Sequence, residues 1–404
     1  MADPAVGAVI TAWSAISPFG FGRAAFAAGV RNGGAKDRAT AGAEGGDRAA
    51  DVRGGAEGED RAADVRGGAG GGDRVREVPG FVIEEALGKK GTFGMDRASA
   101  LAVATVARLL GGDDDGGDGD GGVRPDADTA VVLGTTSGSN QTQVDFATAS
   151  LTRRKPYFVE PAMMPFGLMN SAAAQCALWH GLTGANTTLA DGPVSGLSTL
   201  AYGARLLAAG RASGVICGGV EELTPARRWL TPGEPDLGEG CAVLMLEPAR
   251  VEKTNGGAAG VDAGDGTAGG GEAGGGRTVL AEIVAVDTRM CLDRDVTGAV
   301  AGSLRKLLAD AGPAEVVAAA TSTATAPDAG TAFAYDSEAE VAALREVVGP
   351  VPLIRPADLI GDTGAAGATF AMAALLATAP RPGLVIATAS APDGKIATVL
   401  LRLP

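Results

Sequence analysis

Imidazole is almost absent from this chain. His180 is the single histidine among 404 residues, so any mechanism needing two imidazoles is excluded before a motif is considered. Cysteine is scarce too. Cys176, Cys217, Cys241 and Cys291 stand at irregular spacings that match neither a disulfide framework nor a zinc site, which fits a reducing cytoplasm. No apolar run reaches the ~18–20 residues that span a bilayer. The start, Met1-Ala2-Asp3-Pro4, lacks the basic opening of a signal peptide. Positive charge is in deficit: 34 Lys and Arg against 48 Asp and Glu give a formal net charge of -14. That balance argues against nucleic acid and against an anionic membrane as partners. The Asp/Gly run over 111–128 lacks the spacing and closing Glu of a Ca²⁺ loop, so it predicts a solvated loop. No metal and no cofactor are expected.

What the chain does have is small and apolar. Hydrophobic residues make up 46 %, and Gly alone counts 64, enough for a two-half core interrupted by low-complexity loops. Residues 6–14 read as a buried strand, and a helix is predicted over 24–30. Asp47-Arg48-Ala49-Ala50-Asp51-Val52-Arg53-Gly54-Gly55-Ala56 then recurs as Asp60-Arg61-Ala62-Ala63-Asp64-Val65-Arg66-Gly67-Gly68-Ala69. So Gly-rich a duplication buries no face and reads as a disordered insertion over about 33–76. Order resumes with a helix capped by Gly94-Met95-Asp96-Arg97. A central strand is predicted over 129–136, and helices over 141–151 and 166–179. A Gly/Ala-rich linker over 252–277 divides an N-terminal half, 1–251, from a C-terminal half, 278–404. Strands and helices alternate on both sides of it, which predicts an α/β fold of two similar halves.

One stretch organises the N-terminal half: Asn186-Thr187-Thr188-Leu189-Ala190-Asp191-Gly192-Pro193-Val194-Ser195-Gly196-Leu197. A β-branched run ends in an Asp-Gly-Pro turn and a small-residue helix follows. This device aims one residue at a pocket from a helix N-terminus. It resembles the nucleophile elbow of the β-ketoacyl synthases. Three further stretches resemble that family in order and spacing: Cys217-Gly218-Gly219-Val220-Glu221, Gly238-Glu239-Gly240-Cys241, and Asp362-Thr363-Gly364-Ala365-Ala366-Gly367. The resemblance implies the thiolase-like fold, two similar βα halves in five layers. It also implies decarboxylative condensation, with an acyl-carrying Cys thiolate, two His and an oxyanion hole of backbone N–H groups.

The chain departs from that pattern at each catalytic position. Pro193 stands where the Cys belongs and brings neither thiol nor N–H. The segment expected to hold the first His reads Thr321-Ser322-Thr323-Ala324-Thr325-Ala326-Pro327-Asp328, followed by Asp336 and by Glu338 to Glu340. The second His motif is shortened around Asp362. The oxyanion turn reads Ala391-Pro392-Asp393-Gly394-Lys395. A catalytic residue is therefore not assigned; the elbow residues Asp191, Gly192 and Pro193 and the residue Asp362 mark a degenerate site. His180 reads as a structural residue leaving a helix, and the four Cys read as core packing.

A class of this family keeps the fold and loses the Cys: the chain length factors of type II polyketide synthases, where Gln often takes its place. The resemblance implies a non-catalytic subunit that forms a heterodimer with an active ketosynthase, the acyl tunnel running between them. Carried over from aromatic-type members, the gating places fall on Ser139, Thr142 and Phe146, a plain surface helix being the other reading; Met163, Met164 and Phe166 read either as further pocket lining or as core packing. Ser139 stands where a bulky aromatic is common, which implies a deeper channel and a long or linear product such as a reduced polyene. Carrier proteins of this family are acidic, as this chain is, so docking of the acyl carrier protein is expected mainly on the partner. Two other readings stay open. One is an enzyme of altered chemistry, a decarboxylase or acyltransferase using Asp191 and Asp362 as an acid/base pair. The other is a pure scaffold with no tunnel role.

Overall fold

The computed structural model describes residues 7–41, 76–111, 122–231, 236–249, 278–312, 314–323 and 337–404. The duplicated segment, the linker over 252–277, residues 324–328 and Asp336 lie outside them. The first part of the chain forms β1 (Ala8–Ser17), β2 (Gly20–Phe21), α1 (Gly22–Ala41), α2 (Ile83–Leu87), α3 (Arg97–Gly111), β3 (Ala130–Gly134) and α4 (Asn140–Thr152). A 3-10 helix (Pro161–Gly167), α5 (Ser171–His180), β4 (Asn186–Leu189), a 3-10 turn (Gly192–Val194), α6 (Ser195–Ala208), β5 (Val215–Glu221), α7 (Pro225–Leu230) and β6 (Gly240–Pro248) complete it. The second part forms β7 (Ala281–Met290), α8 (Val296–Ala311), β8 (Val316–Thr321), α9 (Ser337–Val347), β9 (Leu353–Ile354) and α10 (Pro356–Ile360). A 3-10 turn (Gly364–Ala366), α11 (Gly367–Thr378), β10 (Gly383–Ser390) and β11 (Lys395–Leu403) close the chain.

The strands join in the order β4-β3-β5-β6-β1-β7-β11-β10-β8-β9. Reading outward from the centre, β1-β6-β5-β3-β4 and β7-β11-β10-β8-β9 follow one plan. The outer strands are parallel, while β5, β6 and β1, and their counterparts β10, β11 and β7, pair antiparallel. Uninterrupted βα alternation is thus corrected at the end of the chain, where β10 and β11 are hairpin-connected; β5 and β6, also antiparallel, are joined through α7. The seam between β1 and β7 is narrow: Val9 opposes Glu282 and Ile10 opposes Ala281.

Burial defines five layers. Leu101 and Val103 of α3 and Cys176 of α5 cover the outer face of one half-sheet, against Val131, Leu133 and Ile216. Leu304 of α8 and Leu344 of α9 cover the outer face of the other, against Ile386 and Leu400. Between the two half-sheets lie α6 and α11, whose Leu197, Leu200, Phe370 and Met372 share one core with Val132, Val215, Ala320 and Val385. Each such side chain contributes about 1.5–3 kcal/mol by leaving water. Phe370 stacks on Phe26 of α1, ring centroids 5.3 Å apart. The two central helices cross so closely that a Cβ at Gly196 would lie 2.7 Å from the Thr369 backbone N.

Two helix assignments change. The helix predicted over 24–30 continues to Ala41, because Ala35, Ala39 and Ala41 sustain helix propensity beyond the glycines. The helix predicted over 166–179 divides into a 3-10 helix ending at Gly167 and α5 from Ser171; Pro165 cannot donate within the first piece. Residues 122–129 form no helix or strand, and Val123 among them is buried, its N–H donating to Leu109 O at 3.2 Å. No helix among the described residues is long and apolar enough to cross a membrane.

Candidate functional site

The elbow forms where β4 runs out. Gly192 has φ +59°, the left-handed conformation that lets the chain reverse between strand and helix. Pro193 follows in the first turn of the 3-10 segment and is buried; its fixed φ suits that position. Ser195 opens α6 and is fully buried. Its Oγ accepts from the Asp191 N–H at 2.9 Å and donates to Gly192 O at 2.7 Å. The hydroxyl thus closes the turn and is not a free nucleophile.

Asp191 turns outward and meets Lys395 Nζ at 2.6 Å. Lys395 follows the β10–β11 turn, so this ion pair bridges the two halves at the mouth of the elbow. The turn spends its own donors internally. Gly394 N donates to Ala391 O at 2.9 Å and Lys395 N to Asp393 Oδ1 at 3.1 Å. Pro392 has no N–H to offer.

The second elbow, ahead of α11, is packed differently. Gly364 N donates to Asp362 Oδ1 at 2.7 Å, so that carboxylate caps its own turn. Ala365 N donates to Thr136 Oγ1 at 3.3 Å. Glu221, at the end of β5, accepts from Thr136 N at 3.0 Å and Thr135 Oγ1 at 3.1 Å. Arg227 Nε lies 3.9 Å from Glu221 Oε2, and the Arg227 guanidinium donates to the carbonyls of Glu222, Gly238 and Asp362 at 3.0, 2.6 and 3.0 Å. Asp191 and Asp362 are thus committed to different partners, a cation and a turn.

Hydroxyls stand where the first His is expected. Thr323 Oγ1 donates to Glu340, and Thr388 Oγ1 and Ser390 Oγ donate to the same carboxylate at 2.8 and 2.5 Å. Burial pushes the Glu340 carboxyl up, and these three bonds hold it partway back. Ser322 Oγ donates to Thr388 O at 3.2 Å.

The thiols lie outside the elbow segment, on α5, β5, β6 and the end of β7, all buried. Burial pushes the Cys241 thiol up to about 12 and raises Cys176 and Cys217 as well, so none is a ready thiolate. His180 ends α5 and bonds Val103 O at 3.2 Å through Nε2; burial lowers its pKa. Among the described residues no group of three or more His, Cys, Asp or Glu is placed to hold a metal ion.

The carried-over gating residues fall at the amino end of α4. Ser139 is the cap rather than a helical residue: its Oγ accepts from Thr142 N at 3.3 Å and donates to Thr142 Oγ1 at 2.9 Å. Ser139 and Thr142 are 2 % and 6 % exposed, and Phe146 is half-buried. Thr142 faces Gly167, where a Cβ would be 3.7 Å from Thr142 Cγ2. Met163 and Phe166 point another way, onto the backbone at Gly94, and Met164 is exposed. The structure therefore brings Ser139 and Thr142 together, with Thr142 beside Gly167, while the Met163 and Phe166 side chains turn to Gly94. Glu221 and Lys395 stand in family-like stretches of the sequence, but the Asp191–Lys395 pair and the Glu221–Glu222–Arg227 cluster come from the structure. Tandem acids closing a buried strand were the available signal for the latter.

A sequence profile of the Beta-ketoacyl synthase, N-terminal domain, matches residues 83–230. The curated 3-oxoacyl-(acyl-carrier-protein) synthase 2 of Vibrio cholerae is 24 % identical over 206 residues, 44 % of this chain and 48 % of that protein. The protein of the same name from Vibrio harveyi is 26 % identical over 148 residues, 36 % of this chain and 34 % of that protein. The chain thus spans about half or less of the length of these relatives. Among solved structures, the ishigamide ketosynthase/chain length factor is 36 % identical with a TM-score of 0.72, covering 98 % of this chain and 99 % of that one. A type II PKS acyl-carrier protein in complex with its ketosynthase bound to the hexaketide gives a TM-score of 0.67 at 14 % identity, with 98 % and 99 % covered. That likeness is one of fold alone.

Proposed function

This chain belongs to the β-ketoacyl synthase family, and from that premise we propose that it is a chain length factor of a type II polyketide synthase. It condenses nothing by itself, pairs with an active ketosynthase in the cytoplasm, and shapes the channel that sets product length. Pro193 carries the reading. The condensing step needs a thiolate to take the acyl chain and an N–H to hold the developing oxyanion. Pro193 removes both at once, and Ser195, the nearest hydroxyl in the turn, is buried and spent on backbone groups. The scaffold around the lost centre is kept.

Exposed apolar side chains support a subunit partner. Leu151, Tyr157, Phe158, Met164, Leu168 and Leu178 are all exposed between the end of α4 and α5, and such a surface on a water-soluble chain calls for a cover. Beside it, the outer edge of β4 pairs with no strand among the described residues. The solved relative whose name joins a ketosynthase to a chain length factor supports the same pairing. The gating role of Ser139, Thr142 and Phe146 belongs to this proposal, as does docking of the acyl carrier protein mainly on the partner.

The test is reconstitution with a candidate ketosynthase, malonyl-loaded carrier protein and mass analysis of the products. The chain alone is expected to condense nothing, the pair to make a defined length, and Ser139→Phe to shorten it. Condensation by the purified chain alone overturns the proposal.

A further inference from the structure

Gln141, in the first turn of α4, is held from two directions by the segment after β5. Its N–H donates to Glu222 Oε1 at 3.1 Å, and its side-chain Oε1 accepts from Ala226 N, in the first turn of α7, at 3.1 Å. Thr224 Oγ1 donates to the same Glu222 oxygen at 3.3 Å. Glu222 is 2 % exposed, and its other oxygen, Oε2, has no hydrogen-bond partner. A buried carboxylate oxygen left idle is costly. The fold accepts that cost at the amino end of the helix that carries Thr142 and Phe146.

The groups around this carboxylate are mostly of its own sign. Asp96, just before α3, Arg97, at its start, and Glu221, at the end of β5, interact with it; Arg227 of α7 pairs with Glu221 and donates to the Glu222 carbonyl, and Arg97 holds Glu239 at 2.5 Å. Asp145, one turn along α4, takes the Gln141 Nε2 donor at 2.8 Å. Burial pushes the Glu222 carboxyl up to about 7; the Gln141 N–H opposes this, and Asp96 and Glu221 add to it.

We propose that Glu222 is a positioning residue for the acyl channel: its carboxylate fixes the amino end of α4 and so sets how deep a growing chain can reach. This rests on the reading of α4 as a channel wall. A charged acceptor holds a helix N-terminus more firmly than a neutral one.

The reconstituted pair is examined by amide hydrogen exchange and product mass, with Glu222→Gln as the isosteric variant. Glu222→Gln is expected to lower protection of the amides over 141–144 by about tenfold, the scale of one charge-assisted bond, and to shift the product-length distribution. Unchanged product length in Glu222→Gln, where Ser139→Phe does change it, overturns the tether and leaves the channel standing. If neither substitution changes length, the channel reading falls and takes the tether with it.

Discussion

Two sharp turns feed the two central helices, and they reach the same backbone shape by different means. Each begins with a glycine in the left-handed region, Gly192 at φ +59° and Gly364 at φ +47°, and each leads through a 3-10 segment into a buried helix. Around the first turn there is room: a Cβ at Gly192 would meet nothing within 4 Å. Around the second there is none, since a Cβ at Gly364 would lie 2.7 Å from Glu221 Oε2 and 2.8 Å from Thr136 Oγ1. The first turn is steadied from outside by Lys395, the second from within by Asp362. The first turn thus keeps an open front and the second is packed solid.

The sharpest way to break this contrast is to remove Arg227, which braces the packed turn and makes no bond to the open one. Arg227→Ala leaves the buried Glu221 carboxylate and three carbonyls without their cation and is expected to cost about 3–5 kcal/mol, read by denaturant unfolding. Gly364→Ala adds overpacking to left-handed strain and is expected to cost about 2–4 kcal/mol. Gly192→Ala meets strain alone, about 1–2 kcal/mol; equal losses at the two glycines would erase the distinction. Lys395→Ala removes a partly exposed pair and is expected to cost about 0.5–1 kcal/mol, shrinking as salt is raised. Pro193→Cys restores a thiol and an N–H but no imidazole. It is expected to gain no condensing activity with malonyl-loaded carrier protein, whereas measurable turnover would show the open turn to be one substitution from working.

The contrast also shows what could be read without coordinates. The first elbow was legible because its grammar is local: a β-branched run, Asp-Gly-Pro, then small residues. The five-layer plan was legible through the family resemblance. The short helices α7 and α10 carry one local signal each, a proline in the first helical turn at Thr224-Pro225 and Arg355-Pro356. The split between Gly167 and Ser171 was hidden because the apolar pattern continues across it. The Asp191–Lys395 pair and the Arg227 bonds to Asp362 join residues from opposite halves of the chain. No local periodicity encodes such long-range partners, so they emerge only once the two half-sheets are packed. Glu222 reads in the sequence as one more acidic residue after a strand; its idle oxygen is a property of its surroundings.

The seam between β1 and β7 is two residue pairs wide. A joint that slender carries little bending stiffness. Torsional rigidity of the molecule therefore resides in the helices wedged between the half-sheets, at the point where Gly196 and Thr369 touch. Shaving or padding that wedge would tilt one half against the other as a lever, with the largest travel at the rim where Asp191 and Lys395 meet.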